Sequence, residues 1–96
     1  MTSSYVVTPL AESDLEEIWI YTARKWSLEQ AETYTNNILD ACEDLARGKR
    51  LSRPATIRDG YFKASVGRHV IYFQRRAEIL LVVRILHQRM DIERHL

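Results

Sequence analysis

Three histidines and a set of basic side chains in the last third of the chain are the residues with chemistry to offer: His69, His87 and His95, with Lys63, Arg68, Arg84 and Arg89. In-line attack by a ribose hydroxyl on a phosphodiester needs a base to take its proton, a cation to stabilise the charged transition state and an acid for the leaving oxygen. The histidines could serve as base and acid, and the arginines and Lys63 could carry the charge. The histidines would bind a metal only if a third ligand converged on them, and none stands out. They also have a structural reading, in which His69 and His87 cap the edge of the core and hydrogen-bond to backbone. Cys42 is the only cysteine, which excludes an internal disulfide and a cysteine-based zinc site. At a helical position it reads as a small buried apolar residue.

The elements that must position these groups are strands. Residues 69–74 and 79–86 are rich in β-branched and aromatic types, and Arg75 to Glu78 separate them, so they should pair as an antiparallel hairpin. In an even register His69, Ile71 and Phe73 share a core face with Leu81, Val83 and Ile85, and His69 lies diagonally near His87. The opposite face then carries Val70, Tyr72, Gln74, Leu80, Val82, Arg84 and Leu86. It is too apolar to meet only water and calls for a cover. Arg84 on that face should pair with a carboxylate, from this chain or from a partner.

Upstream, Tyr5 to Thr8 reads as a short strand stopped by Pro9. A helix from Leu10 to Lys25 carries the stripe Ala11, Leu15, Ile18, Trp19, Thr22 and Trp26, with Glu12, Asp14, Glu16 and Glu17 near its start suiting the helix dipole. Trp19 reads as core and Trp26 as half exposed near the turn. A second helix should run from Leu28 to Ala46 over Ala31, Tyr34, Thr35, Ile38, Cys42 and Leu45, with Gly48 as its stop. Lys49 to Gly60 lacks periodicity and reads as a surface loop before a strand at Tyr61 to Val66. The expected fold is a small two-layer α+β domain of order β-α-α-β-β-β. Its N-terminal strand is followed by a helical hairpin packed on one face of a mainly antiparallel sheet, and a turn of helix could follow Met90.

The chain has 96 residues, 46% hydrophobic and 28% charged, which suits one domain spanning residues 1–96 and not two. No signal peptide or membrane span is visible, so the expected location is the cytoplasm. The net charge of +1 conceals an asymmetry. Residues 1–46 hold two basic against nine acidic side chains, and residues 47–96 hold twelve against four. A basic half of this kind steers association with an acidic partner or with nucleic acid.

The segments PLAESDLEEIWIYTARKW, QAETY, GYFKASVGRHVIYF and VVRILHQRMDIERHL resemble, over nearly the whole chain and in order, the ParE branch of the RelE/ParE toxin superfamily. RILHQRMD after the strand Gly-x-His-Val-Ile-Tyr-Phe is the most specific part. The resemblance implies the toxin of a type II toxin-antitoxin system that serves plasmid or chromosome maintenance. It would bind DNA gyrase at the DNA-cleaving subunit and trap a cleaved state, with no enzymatic chemistry and no cofactor. A ParD-like antitoxin would form a hetero-oligomer with it, laying an amphipathic helix or an added strand over Val70, Tyr72, Leu80, Val82 and Leu86, with acidic side chains meeting Arg84. Target contact is expected from Arg68, His87, Arg89 and Met90 at one end of the hairpin, without sequence-specific nucleic-acid binding by the toxin alone. With its apolar face open, the free toxin is expected to aggregate or dimerise more readily than the complex.

The alternative within the superfamily is a RelE-like ribosome-dependent mRNA endonuclease. That pattern expects an arginine well inside the strand that here reads His69-Val70-Ile71-Tyr72, and a basic cluster before the sheet that Lys49, Arg50 and Arg53 echo only loosely. His87 or His95 could stand as its acid. A further alternative is an inactive relative kept as a binding module.

Overall fold

Thr8 ends the first strand and starts the first helix with one residue. In the computed structural model, which describes residues 4–96, strand β1 (Ser4–Val7) runs directly into helix α1 (Pro9–Lys25). The Thr8 amide donates to the Val82 carbonyl at 3.0 Å, and its hydroxyl donates to the Val83 carbonyl at 3.0 Å. The same oxygen accepts from the Ala11 amide at 3.2 Å, which makes Thr8 the N-cap. Pro9 occupies the first turn, where its missing N–H has no intrahelical partner to lose. Ser27 caps helix α2 (Leu28–Ala46) by accepting from the Gln30 amide at 3.0 Å.

Strands β2 (Arg53–Pro54), β3 (Phe62–Val66), β4 (His69–Arg76) and β5 (Ile79–His87) follow, and then a 3-10 turn at Ile92–Arg94. The sheet order is β1-β5-β4-β3-β2, with β1 parallel to β5 and the other pairs antiparallel. The α+β order read from the sequence holds, with one addition. Arg53 and Pro54 lie in the segment read as loop, yet they pair with Lys63 and Phe62 at the sheet edge, where a proline costs no ladder bond.

The helices pack on one face. Ala11, Ile18, Ile38, Ala41, Cys42 and Leu45 meet Ala64, Ile71, Phe73, Leu80, Val82 and Ile85 in one cluster. The stripe of α2 is as read. In α1 the inner line runs through Ala11, Asp14, Ile18 and Thr22. Trp19 lies at the margin of that line, half-buried and not fully in the core as expected, and Trp26 is 70% exposed.

The hairpin register departs from expectation. His69 pairs directly with His87, Ile71 with Ile85 and Tyr72 with Arg84, but Phe73 pairs with Val82, so Val83 forms a bulge. The turn is also tighter than read, with only Ala77 and Glu78 between the strands. Beyond the bulge the faces exchange. Leu80 and Val82, assigned to the open face, are in the core at 1% and 0% exposure, while Leu81 and Val83, assigned to the core, are only partly buried. The cause lies in α1. Thr8 takes the carbonyls of both Val82 and Val83, and Asp14 Oδ2 accepts from the Ile85 amide at 2.9 Å, so the start of the helix holds the extra residue in place.

The second face of the sheet is not left open either. Tyr72 and Leu86 form a small buried cluster with Ala55, against which Tyr61, Val70, Ile92 and Leu96 pack. The chain's own tail and the segment before β3 supply a cover that the sequence reading assigned to a partner.

Candidate functional site

The end of the sheet bearing the β3–β4 turn is organised by Tyr34, which reaches it from α2. Gly67 opens the turn with φ +57°, the conformation a two-residue hairpin loop demands. A Cβ at Gly67 would lie 2.8 Å from the Tyr34 ring, so only glycine lets the turn sit against it. The Tyr34 hydroxyl accepts from the Arg68 amide at 3.1 Å and lies 2.6 Å from His69 Nδ1. A more distant contact, 3.4 Å, runs to the Val66 carbonyl. With the hydroxyl proton on the short bond, Nδ1 is the acceptor and the His69 proton sits on Nε2.

His69 in turn meets His87 edge-on, with ring centroids 5.3 Å apart. Burial, reinforced by repulsion from His87 and opposed in part by Asp14, pushes the His69 pKa down to about 4. His69 is therefore neutral at pH 7, a weak base whose Nδ1 is already engaged. His87 Nδ1 accepts from the Arg89 amide at 3.1 Å, which leaves Nε2 as the donor in its neutral form.

Backbone bonds bring the basic residues to the same end. The Gln88 amide donates to the Arg68 carbonyl at 2.9 Å, and the Met90 amide donates to the His87 carbonyl at 2.9 Å. The four residues expected to contact a target, Arg68, His87, Arg89 and Met90, are thus neighbours. Arg68 and Arg89 are exposed, and Met90 is half exposed.

The six residues expected to meet an antitoxin do not share one surface. Leu80 and Val82 face the helices, Tyr72 and Leu86 lie in the small cluster beneath the tail, and Val70 packs at its margin. Arg84 finds its carboxylate within the chain, with Nε to Asp14 Oδ2 and Nη2 to Asp14 Oδ1 both at 2.8 Å. That hydrogen bond and the Asp14 charge raise its pKa further. Its remaining nitrogen, Nη1, donates to the His95 carbonyl at 3.1 Å, and Arg58 Nη2 donates to the Leu96 main-chain oxygen at 2.8 Å. The tail is therefore pinned by two arginines. Beside it lies a groove of about 250 Å³ lined by Ala55, Thr56, Ile57, Lys63, Tyr72 and Ile92.

Sequence reasoning missed Asp14 and Tyr34 as organising residues. Asp14 was grouped with carboxylates that suit the helix dipole, although it stands three residues after Ala11 and four before Ile18, on the buried line. That spacing was the available signal. Tyr34 was placed on the buried stripe, but nothing local tells which turn its hydroxyl would reach. Among the described residues no group of three or more His, Cys, Asp or Glu side chains is placed to hold a metal ion. The site offers N–H donors, positive charge and a thioether on a rigid frame, which suits binding better than proton transfer.

Known proteins are similar to this chain in sequence and share its fold. A family model described as the ParE toxin of type II toxin-antitoxin system, parDE, matches residues 5–92. The toxin ParE1 of Mycobacterium tuberculosis is 41% identical over 98 residues, covering 100% of both chains. Among solved structures, the chromosomal ParDE TA system from P. aeruginosa superposes with a TM-score of 0.77 at 19% identity, covering 91% of this chain and 96% of that one. The toxin-antitoxin complex RelBE2 from Mycobacterium tuberculosis gives a TM-score of 0.66 at 20% identity, with 95% of each chain covered. The two solved structures share the fold of this chain.

Proposed function

This chain belongs to the ParE toxin family of type II toxin-antitoxin systems, and from that premise we propose that it inhibits DNA gyrase by binding, under the control of a ParD-like antitoxin. The observation that carries the binding mode is the state of the histidines. His69 is neutral and bonded to Tyr34, and His87 is bonded to the Arg89 amide, so neither ring is poised as a free base. Around them Arg68, Arg89 and Met90 present an exposed contact surface. The toxin acts without a cofactor and traps gyrase with its DNA cleaved. Its place of action is the cytoplasm, in keeping with the absence among the described residues of any helix long and apolar enough to cross a membrane.

The antitoxin reading draws support from the solved ParDE system of the same fold. The sheet side of the molecule carries the basic half of the sequence, and the groove beside Ile92 puts Lys63 next to the apolar rims of Ala55 and Tyr72. An amphipathic, acidic antitoxin segment fits that combination.

The test is a supercoiling and cleavage assay with purified gyrase, relaxed plasmid and ATP, run beside a ribosome-programmed mRNA cleavage assay on the same protein. Inhibited supercoiling or accumulated linear DNA with intact mRNA is the expected result. Cut mRNA with unaffected gyrase would replace this reading with the endonuclease one, and inactivity in both assays would favour a binding module.

A further inference from the structure

We propose that the sheet end bearing the β3–β4 turn is a phosphate-binding site for nucleic-acid backbone, so that the toxin grips the DNA held by its target as well as the target protein. This inference rests on the reading of that end as the target-contacting surface and names what part of the target it takes.

Three arginines are brought there, one more than the hairpin sequence supplies. Arg68 sits on the β3–β4 turn, and Arg89 follows β5, tied to it through the Gln88 amide on the Arg68 carbonyl. Arg50, from the loop after α2, donates through Nη2 to the Ser65 carbonyl at 2.7 Å, which places it beside the last residues of β3. All three are exposed. Among the described residues the ion pairs are Arg47–Glu43, Arg84–Asp14 and Arg94–Asp91, so none of the three has a carboxylate within 4 Å. Asp91, the acidic residue closest in sequence, turns its oxygens to the Glu93 amide and to Arg94.

The order of the elements makes these cations a row. Arg89 continues β5, Arg68 joins β4 to β3, and Arg50 lies outside β3. Neighbouring strands are about 4.8 Å apart, so β5 to β3 alone takes roughly 10 Å and the row extends beyond that to Arg50. Its middle is rigid, because Tyr34 fixes the Arg68 amide and the Gly67 turn. His87 adds an Nε2 donor beside Arg89.

A carboxylate in this protein is satisfied by much less. Asp14 takes one arginine fork and one amide. Three arginines without a carboxylate partner exceed what a single carboxylate can use, and they match the regularly repeated charges of a phosphodiester strand. Contacts of this kind position a backbone and read no bases.

The experiment is fluorescence anisotropy of a labelled short DNA duplex with the full chain across a salt series, with inorganic phosphate and polyglutamate as competitors. The expected result is binding at low salt with a log-log salt slope of about −2 to −3, reduced by about one for each arginine removed in R50Q, R68Q and R89Q. The charge-retaining R68K/R89K variant should keep most of the slope, and thermal melts should be unchanged throughout. No duplex binding by the wild-type chain at low salt would overturn the proposal, as would slopes that ignore the substitutions. Displacement by polyglutamate and not by phosphate would reassign the row to an acidic protein segment. Gyrase inhibition by the wild-type chain is read separately. Inhibition without duplex binding removes the phosphate site alone, and duplex binding without inhibition removes the gyrase reading alone.

Discussion

At the scale of single residues the site depends on a hydroxyl, a glycine and a neutral histidine. Tyr34→Phe removes the acceptor of the Arg68 amide and the partner of His69 Nδ1 while keeping the ring against Gly67. Both groups are partly solvated, so the expected loss is about 1–2 kcal/mol in urea unfolding. A change below a few tenths would mean that the bonds contribute little. Gly67→Ala should cost more, about 2–3 kcal/mol, because it combines a left-handed backbone with a Cβ 2.8 Å from the Tyr34 ring. Gly60→Ala is the control, since Gly60 has φ +81° but open space around it, and it should lose only the backbone part. His69 gives a pH dependence whose sign follows from its pKa being lowered from 6.5 to about 4 in the folded state. Between those values the unfolded chain binds a proton that the native chain refuses, so stability falls as pH drops through that window. His69→Gln keeps an acceptor for Tyr34 and loses the titration. Its melting temperature should therefore decline less than the wild type's between pH 7 and pH 4.5, and equal declines would assign the acid limb to other groups.

At the scale of elements, the junction of β1, α1 and β5 holds the features that the sequence did not reveal. Both helices, the strand before them and the β4–β5 hairpin were legible, from the helical stripes with Pro9 and Gly48 at their ends and from the β-branched runs in the strands. The side-chain period of a strand cannot announce a bulge, however. Ile79-Leu80-Leu81-Val82-Val83 is apolar at every position, so an extra residue at Val83 leaves the pattern equally plausible while exchanging which of them reach the core. The information sits far away in sequence, in Thr8 and Asp14. The candidate site was legible in the same uneven way. The four residues expected to contact a target are neighbours because they flank one hairpin end, whereas Arg50, Tyr34 and the Asp14 pairing with Arg84 are long-range. Asp14 and Arg84 also permit a test of the junction. Their side chains are only 10% and 16% exposed, and Asp14→Ala would strand both the guanidinium and the Ile85 amide. The expected cost is about 3–5 kcal/mol by denaturant unfolding. Arg84→Lys should recover only part of the loss seen in Arg84→Ala, because an ammonium cannot reproduce the paired bonds to both carboxylate oxygens or reach the His95 carbonyl as well. Full recovery by lysine would show that charge alone holds the junction.

At the scale of the whole molecule, the two layers are opposite in charge and unequal in how their apolar surface is covered. The acidic half of the sequence supplies β1 and the helices, and the basic half supplies the rest of the sheet and the tail. The acidic antitoxin segment proposed above would be drawn to the sheet side, where the tail already lies. Ile92 and Leu96 pack against the cluster of Ala55, Tyr72 and Leu86, and Arg84 and Arg58 hold the main chain of His95 and Leu96. This arrangement changes the expectation for the free toxin. A bare second face would drive self-association, but a face covered by its own tail should not, and the tail then becomes the element that keeps the chain monomeric. Ile92→Asp with Leu96→Asp should lift the tail without touching the helix-facing core. The variant should bind a hydrophobic dye and show concentration-dependent association in sedimentation velocity, whereas the wild-type chain stays monomeric at the same concentrations. Because the main core is intact and both side chains are only partly buried, each should lose well under the ~1.5–3 kcal/mol of a fully buried apolar side chain, and the melting temperature should fall less than for a core substitution. A monomeric, dye-free double variant would show that the second face tolerates water, and the tail would then matter only for the way it presents Arg89 and Met90.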